Sequence, residues 1–229
     1  MKLTWLAPAV LLTASATAQA VEFSGTATFT NDYRFRGISQ TAGDAAVQAS
    51  IDADFGNGFY AGVWGSNVDF GDDANLEIDY YVGYAGDLSE EVNYSVTAYY
   101  FQYPGYDAAD IDFGELDVQL GWKDLSLTYA IATSYVNSDE DGQYLALDYS
   151  YPLSEQVSLD LHAGYSFGDY WDRFDIGDYQ DYSVGVSGSV AGLDLSVAYL
   201  FNSVDSGNDV DSGVFRNDNT LLFTVSRTF

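Results

Sequence analysis

Alternation is the feature that most constrains this chain. From Val21 onwards apolar and polar residues exchange places step by step, in segments of about ten residues separated by turn clusters. Val92, Tyr94, Val96, Ala98 and Tyr100 oppose Asn93, Ser95 and Thr97, while Leu116, Val118, Leu120 and Trp122 oppose Glu115, Asp117 and Gln119. Val157, Leu159, Leu161, Ala163, Tyr165 and Phe167 oppose Ser158, Asp160, His162 and Ser166. A side-chain period of two belongs to strands with one apolar and one polar face. Read in this way the chain has twelve strands and no convincing helix.

Two segments need comment. The first runs from Glu22 to Arg36, with Ala27, Phe29, Tyr33 and Phe35 on one parity and Thr26, Thr28, Thr30, Asp32, Arg34 and Arg36 on the other. The third, Phe59 to Phe70, carries apolar residues on both parities; Tyr60, Trp64, Val68 and Phe70 are assigned as its apolar face. The connections alternate in length as well. Those at 56–58, 86–91, 123–124, 152–156 and 191–192 are short, whereas those at 37–45, 71–75, 102–111, 137–143, 168–178 and 202–219 are mostly longer. Short turns at one end, longer loops at the other and an even strand number belong to a membrane-spanning barrel, whose closure removes the unpaired edges that lipid cannot satisfy.

Parity alone fits two architectures. In a sandwich the apolar face points inward, whereas in a membrane barrel it meets lipid and the polar face lines the lumen. The alternating loops, the aromatic residues towards strand ends and the carboxyl-terminal Phe229 favour the barrel. The expectation is an all-β fold, a transmembrane antiparallel up-and-down β-barrel of about twelve strands.

The first twenty residues read as an export leader. Lys2 precedes an apolar stretch from Leu3 to Leu12, and Ala18-Gln19-Ala20 offers a cleavage site before Val21, leaving 21–229 as one domain. No later run is long and apolar enough for a spanning helix. With 35 acidic against 7 basic residues and a formal charge of −28, nucleic acid is excluded as a partner. The absence of cysteine excludes disulfide staples and thiol chemistry. An aromatic fraction of 17% marks a folded chain and not an acidic tail.

Candidate site residues follow from the parity map. Asp52, Asp54, Glu77, Asp79, Glu115, Asp117, Asp148, Asp160 and Asp181 fall on the polar parity and are expected to line a pore, together with Arg34 and Arg36. Those arginines stand two apart, hence on one face. They either form a constriction or neutralise neighbouring carboxylates such as Asp52 and Asp54. His162 is the lone histidine, and Ser166 on its parity lies about 13 Å away along an extended strand, too far for a proton relay. A lumen polar residue is the preferred reading. Asp205-Ser206-Gly207-Asn208-Asp209-Val210-Asp211-Ser212-Gly213 resembles part of a calcium loop but lacks its spacing and closing glutamate, so a solvated loop is expected. There is no phosphate loop, dinucleotide fingerprint or histidine cluster, and neither cofactor nor metal is expected.

The strings Asn31-Asp32-Tyr33-Arg34-Phe35-Arg36-Gly37-Ile38-Ser39-Gln40-Thr41, Gly58-Phe59-Tyr60-Ala61-Gly62-Val63-Trp64-Gly65-Ser66-Asn67-Val68 and Glu77-Ile78-Asp79-Tyr80-Tyr81 resemble the TorF family of bacterial porin-like proteins, grouped with the Gcw-type conserved outer-membrane proteins. The likeness is strongest over 31–85 and fades beyond Ser150. It implies outer-membrane placement and a porin-like role, without a particular solute. Passive diffusion of small solutes through an acidic lumen that prefers cations is therefore expected. The surroundings would be outer-membrane lipid and lipopolysaccharide, and the barrel-assembly machinery would act during biogenesis. Two alternatives stay open: an acidic surface β-protein that binds cations or glycans, and an outer-membrane hydrolase using His162. The solute, the oligomeric state and the open or closed condition of a pore are not readable from the sequence.

Overall fold

The computed structural model describes residues 20–107, 109–173, 176–204 and 214–229. Residues 1–19, nearly all of the stretch read from sequence as a leader, lie outside these residues, as do Asp175 and the acidic stretch Asp205–Gly213. In chain order the strands are β1 (Glu22–Thr30), β2 (Arg34–Phe35), β3 (Ile38–Ser39), β4 (Ala46–Asp54), β5 (Phe59–Asn67), β6 (Leu76–Ser89) and β7 (Val92–Gln102). They continue with β8 (Phe113–Trp122), β9 (Leu125–Ala132), β10 (Gly142–Pro152), β11 (Val157–Phe167), β12 (Tyr179–Val190), β13 (Leu193–Asn202) and β14 (Thr220–Thr228). Helical structure among the described residues is limited to α1 (Asp169–Arg173) and a 3₁₀ turn at Tyr135–Asn137.

All strands except β2 and β3 form a single closed barrel, each antiparallel to its neighbours. The ring closes on β1, which pairs along its length with β4 (Ala27 opposite Ala49) and along its second half with β14 (Phe29 opposite Val225). The barrel therefore has the twelve strands that the alternation predicts, with all short turns at one end and the longer connections at the other.

Its polarity is inverted relative to a water-soluble core. Val47, Ile51, Val82, Leu127, Leu161 and Val184 are exposed on the outside, spread around the ring. A contiguous apolar surface of this kind is built to meet lipid and not water. Exposed aromatics gather at both rims. Phe59 and Tyr84 lie edge to face near the short-turn end with Trp122 and Tyr151, and near the long-loop end Phe201 stacks on the half-buried Tyr182. Such girdles sit at the membrane interfaces.

Two details of the sequence reading are corrected. The first strand ends at Thr30 and not at Arg36, because Asn31 caps the wall: its backbone N–H and side-chain amide donate to the Phe223 and Leu221 carbonyls, and its Oδ1 accepts the Phe223 N–H. Tyr33 and Phe35 then leave the lipid face, and Tyr33 is buried. In the third segment Tyr60 and Trp64 face the lumen, not the lipid, and Val68 and Phe70 belong to the connection beyond β5. Phe59 and Val63 take the outer face in their place. The physical reason is that the lumen here is filled by aromatic packing. Tyr81 lies over Gly62 and Tyr60 over Gly83, and a Cβ on either glycine would fall within 2.4 Å of the ring. These glycines exist to let the rings lie flat on the neighbouring strand.

Arginine at Leu161, midway along β11, is expected to cost about 2–4 kcal/mol in reversible unfolding from bilayers, and about 0–1 kcal/mol at Leu153 in the short turn after β10. Equal losses at the two positions would argue against a lipid-facing wall.

Candidate functional site

The long connection between β1 and β4 folds into the barrel and carries the densest polar network of the lumen. Asp32, Arg34, Arg36, Ser39 and Thr41 are all buried there. Its turn, Arg36-Gly37, joins β2 to β3 with both residues at positive φ, 49° and 83°. This is the twist that two-residue hairpins require. Gly37 is needed twice, because a Cβ there would also stand 2.7 Å from the Asp181 Cβ.

The ion pair Asp32–Arg34 is the hub of this hairpin. Arg34 Nε donates to Asp32 Oδ2 at 2.6 Å, and the other side of that carboxylate accepts Ser39 Oγ at 2.6 Å and Thr41 Oγ1 at 3.3 Å. Arg34 Nη1 donates to the Gly37, Arg216 and Asp218 carbonyls, and Nη2 reaches Asp218 Oδ1 at 3.4 Å. Partial burial works against ionisation of Asp218, yet its bonds to Arg216 and the nearby Arg34 charge hold this loop carboxyl below the ordinary range.

Arg36 reaches across the lumen. Its Nη2 donates to Glu115 Oε1 on β8 at 2.6 Å, and its guanidinium lies 4.6 Å from the Phe35 and Tyr144 ring centres. Tyr179 Oη donates to the Arg36 carbonyl at 3.0 Å, and Asn202 Nδ2 to that of Gly37 at 3.2 Å. The hairpin tip is thus held by β8, β12 and β13. Arg34 and Arg36 do not share a strand face as the spacing suggests, and their carboxylate partners are Asp32, Asp218 and Glu115, not Asp52 or Asp54. The turn breaks the period of two between them. Around the hairpin, Ile38, Phe101, Phe113, Tyr135, Trp171 and Tyr179 form one apolar cluster, and Tyr33, Tyr60, Trp64 and Tyr81 belong to a second. The long-loop half of the lumen is packed.

A second polar group surrounds His162. Nδ1 lies 2.7 Å from Asp148 Oδ1, and Nε2 lies 2.9 Å from Asp181 Oδ1 and 3.0 Å from Tyr144 Oη. Asp148, His162 and Ser183 stand opposite one another on adjacent strands, but Nε2 is turned to Asp181. With a carboxylate on each ring nitrogen, the imidazole has no free lone pair to act as a general base. The arrangement is an ion-pair clamp between β10, β11 and β12.

The remaining sequence candidates line the inner wall separately. Asp52 accepts from Tyr81 Oη and from Ser50 Oγ, the latter at 2.9 Å. Asp54 caps the short turn through the Gly56 N–H, and Asp160 accepts Ser150 Oγ at 2.7 Å. Glu77 accepts Tyr33 Oη at 3.4 Å. Asp79 and Asp117 share the inner faces of β6 and β8 with Glu77 and Glu115. Among the described residues no group of Asp, Glu and His side chains is arranged to hold a metal ion. Sequence reasoning missed Tyr144, Tyr179, Asn202 and Arg216. The Arg36-Gly37 pair was the available signal that the first segment turns back.

With this geometry in view, comparison with known proteins is informative. A family model covers residues 14–229. The chain belongs to the Gcw_chp family, described as bacterial proteins of unknown function. No functionally curated protein matches the sequence significantly. Among solved structures, the NanC porin in a rhombohedral crystal form aligns with a TM-score of 0.56 at 10% identity, covering 90% of this chain and 98% of that one. A structure from a study of the in-meso crystallization of membrane proteins aligns at 0.53 and 11% identity, covering 90% and 83%. At such identities the likeness is one of fold, and it agrees with the closed barrel that the strand pairing of this Gcw_chp chain describes.

Substituting Gly37→Ala is expected to unseat the hairpin, since a residue with a Cβ in the left-handed region costs about 1–2 kcal/mol before the clash with Asp181 is counted. Trypsin cleavage after Arg34 and Arg36 should rise at least about tenfold while the barrel stays intact. Unchanged protection would show that the tip does not depend on this turn.

Proposed function

We propose that this Gcw_chp protein is an outer-membrane barrel of the porin type, close to the TorF-like proteins its sequence resembles, which passes small solutes by diffusion and favours cations. The carrying observation is the charge of the inner face. Asp52, Asp54, Glu77, Asp79, Glu115, Asp117, Asp148, Asp160 and Asp181 are set there against Arg34, Arg36 and His162. A carboxylate-lined passage concentrates cations and raises a barrier to anions. In this reading the leader at 1–20 is removed on export, the short turns face the periplasm and the longer loops face outwards. Outer-membrane lipid and lipopolysaccharide surround the wall, and the barrel-assembly machinery inserts it. The inward hairpin narrows the passage from the loop side, and a solute passes when its tip gives way.

Single-channel recording in planar bilayers tests this. Cations should be preferred at low salt, and the contrast should shrink as salt rises, because the screening length falls from about 30 Å at 0.01 M to about 3 Å at 1 M. Replacing Asp52, Asp54, Glu77 and Asp79 together by their amides should reduce the preference. Anion preference in the unmodified protein would overturn the charge reading. Silence from correctly folded barrels, Gly37→Ala included, would leave a structural or binding barrel.

A further inference from the structure

The seat of Arg36 offers more acceptors than its occupant uses. We propose that it is a binding site for guanidinium-bearing solutes, filled from within the chain by Arg36, an assignment that rests on the reading of the barrel as a passage for small cations and names the class of cation it takes.

Three observations carry this. First, a guanidinium fork and a carboxylate can make two parallel bonds, yet Arg36 and Glu115 make one, leaving Arg36 Nη1 and Glu115 Oε2 buried without a hydrogen-bond partner. The tether explains the shortfall: the Arg36 backbone is fixed in a left-handed turn and its carbonyl is held by Tyr179. A free guanidinium has no such restraint and can seat both arms on Glu115. Second, the surplus extends beyond Glu115, since Asp79 Oδ1 and Glu77 Oε2 are also buried without a hydrogen-bond partner, and Asp79 is only 7% exposed. Buried acceptors of this kind call for donors. Third, the seat has flat walls, with the Phe35 and Tyr144 rings each 4.6 Å from the guanidinium carbon and that of Tyr135 at 6.0 Å.

Together these choose among cations. A metal ion needs converging ligands, and no such group exists among the described residues. An ammonium is a compact charge with three donors and no face to stack. A guanidinium has five donors in a plane, enough to span carboxylates too dispersed for one metal ion, and it stacks on aromatic rings. When such a solute takes Glu115, Arg36 loses its carboxylate, and of the bonds from the hairpin tip to the barrel wall those to Tyr179 and Asn202 remain. Occupation of the seat and displacement of the tip are therefore one event.

The test uses the full barrel in detergent with Arg36→Ala, titrated calorimetrically with arginine amide. The vacated seat should bind it at least tenfold more tightly than the unmodified protein, and Arg36→Ala with Glu115→Gln should lose at least tenfold of that affinity. Guanidinium chloride should compete, and methylammonium chloride at equal ionic strength should not. Equal binding with and without Glu115→Gln, or equal competition by the two salts, overturns the site. Should Arg36→Ala not fold, Arg36→Lys keeps the charge without the fork; arginine amide should bind it more tightly than the unmodified protein, and failure to do so overturns the site equally. Bilayer recording separates this from the passage itself. Binding without current leaves the seat and removes the channel, whereas current without binding leaves the channel and removes the seat.

Discussion

Closure is the constraint on which everything else rests. A strand in lipid cannot leave its backbone N–H and C=O groups unpaired, so a sheet can cross only if its first and last strands meet. Here β1 supplies both edges of that seam, to β4 on one side and β14 on the other. Once the ring is shut, each strand has one face towards lipid and one towards the lumen, and the period of two becomes a statement about two solvents. That is why the alternation is so regular from Leu76 to Phe223, and why Leu161 and Val184 pair on the outside while Asp148 and His162 pair within.

The lumen is an unusual interior because it is both aromatic and acidic. Its aromatic residues gather towards the loop end, where the hairpin of β2 and β3 supplies Tyr33, Phe35 and Ile38 as apolar filling. Its acids are met piecemeal: by Arg34 at Asp32, by Arg36 at Glu115, by His162 between Asp148 and Asp181, and by hydroxyl donors at Asp52 and Asp160. Ion pairs buried in this way contribute little net stability, but removing one partner is costly. They fix the position of the hairpin more than they strengthen the barrel.

What the sequence discloses and what it withholds follow from the same physics. The strand count and the loop alternation were legible, because each depends on a local repeat. The facing of Tyr60 and Trp64 was not, because an aromatic ring is equally at home against lipid and against a packed lumen. The end of β1 was hidden for a related reason: β2 is itself extended, so the alternation runs on through Asp32, Arg34 and Arg36 after the chain has left the wall. Partners such as Glu115 for Arg36 and Asp218 for Arg34 are remote along the chain, and no spacing rule reaches them.

The hairpin lies near the start of the chain, yet the groups that hold it arrive late. Arg34 binds the carbonyls of Arg216 and Asp218, just ahead of β14, and the tip waits for Glu115, Tyr179 and Asn202. All of these bonds except that to Glu115 need segments from β12 onwards. The hairpin therefore takes its final seat only when β12, β13 and the approach to β14 are in place. When it does, Arg34 stitches the beginning of the chain to the approach of the last strand, so the element that fills the barrel is also the latch on its seam.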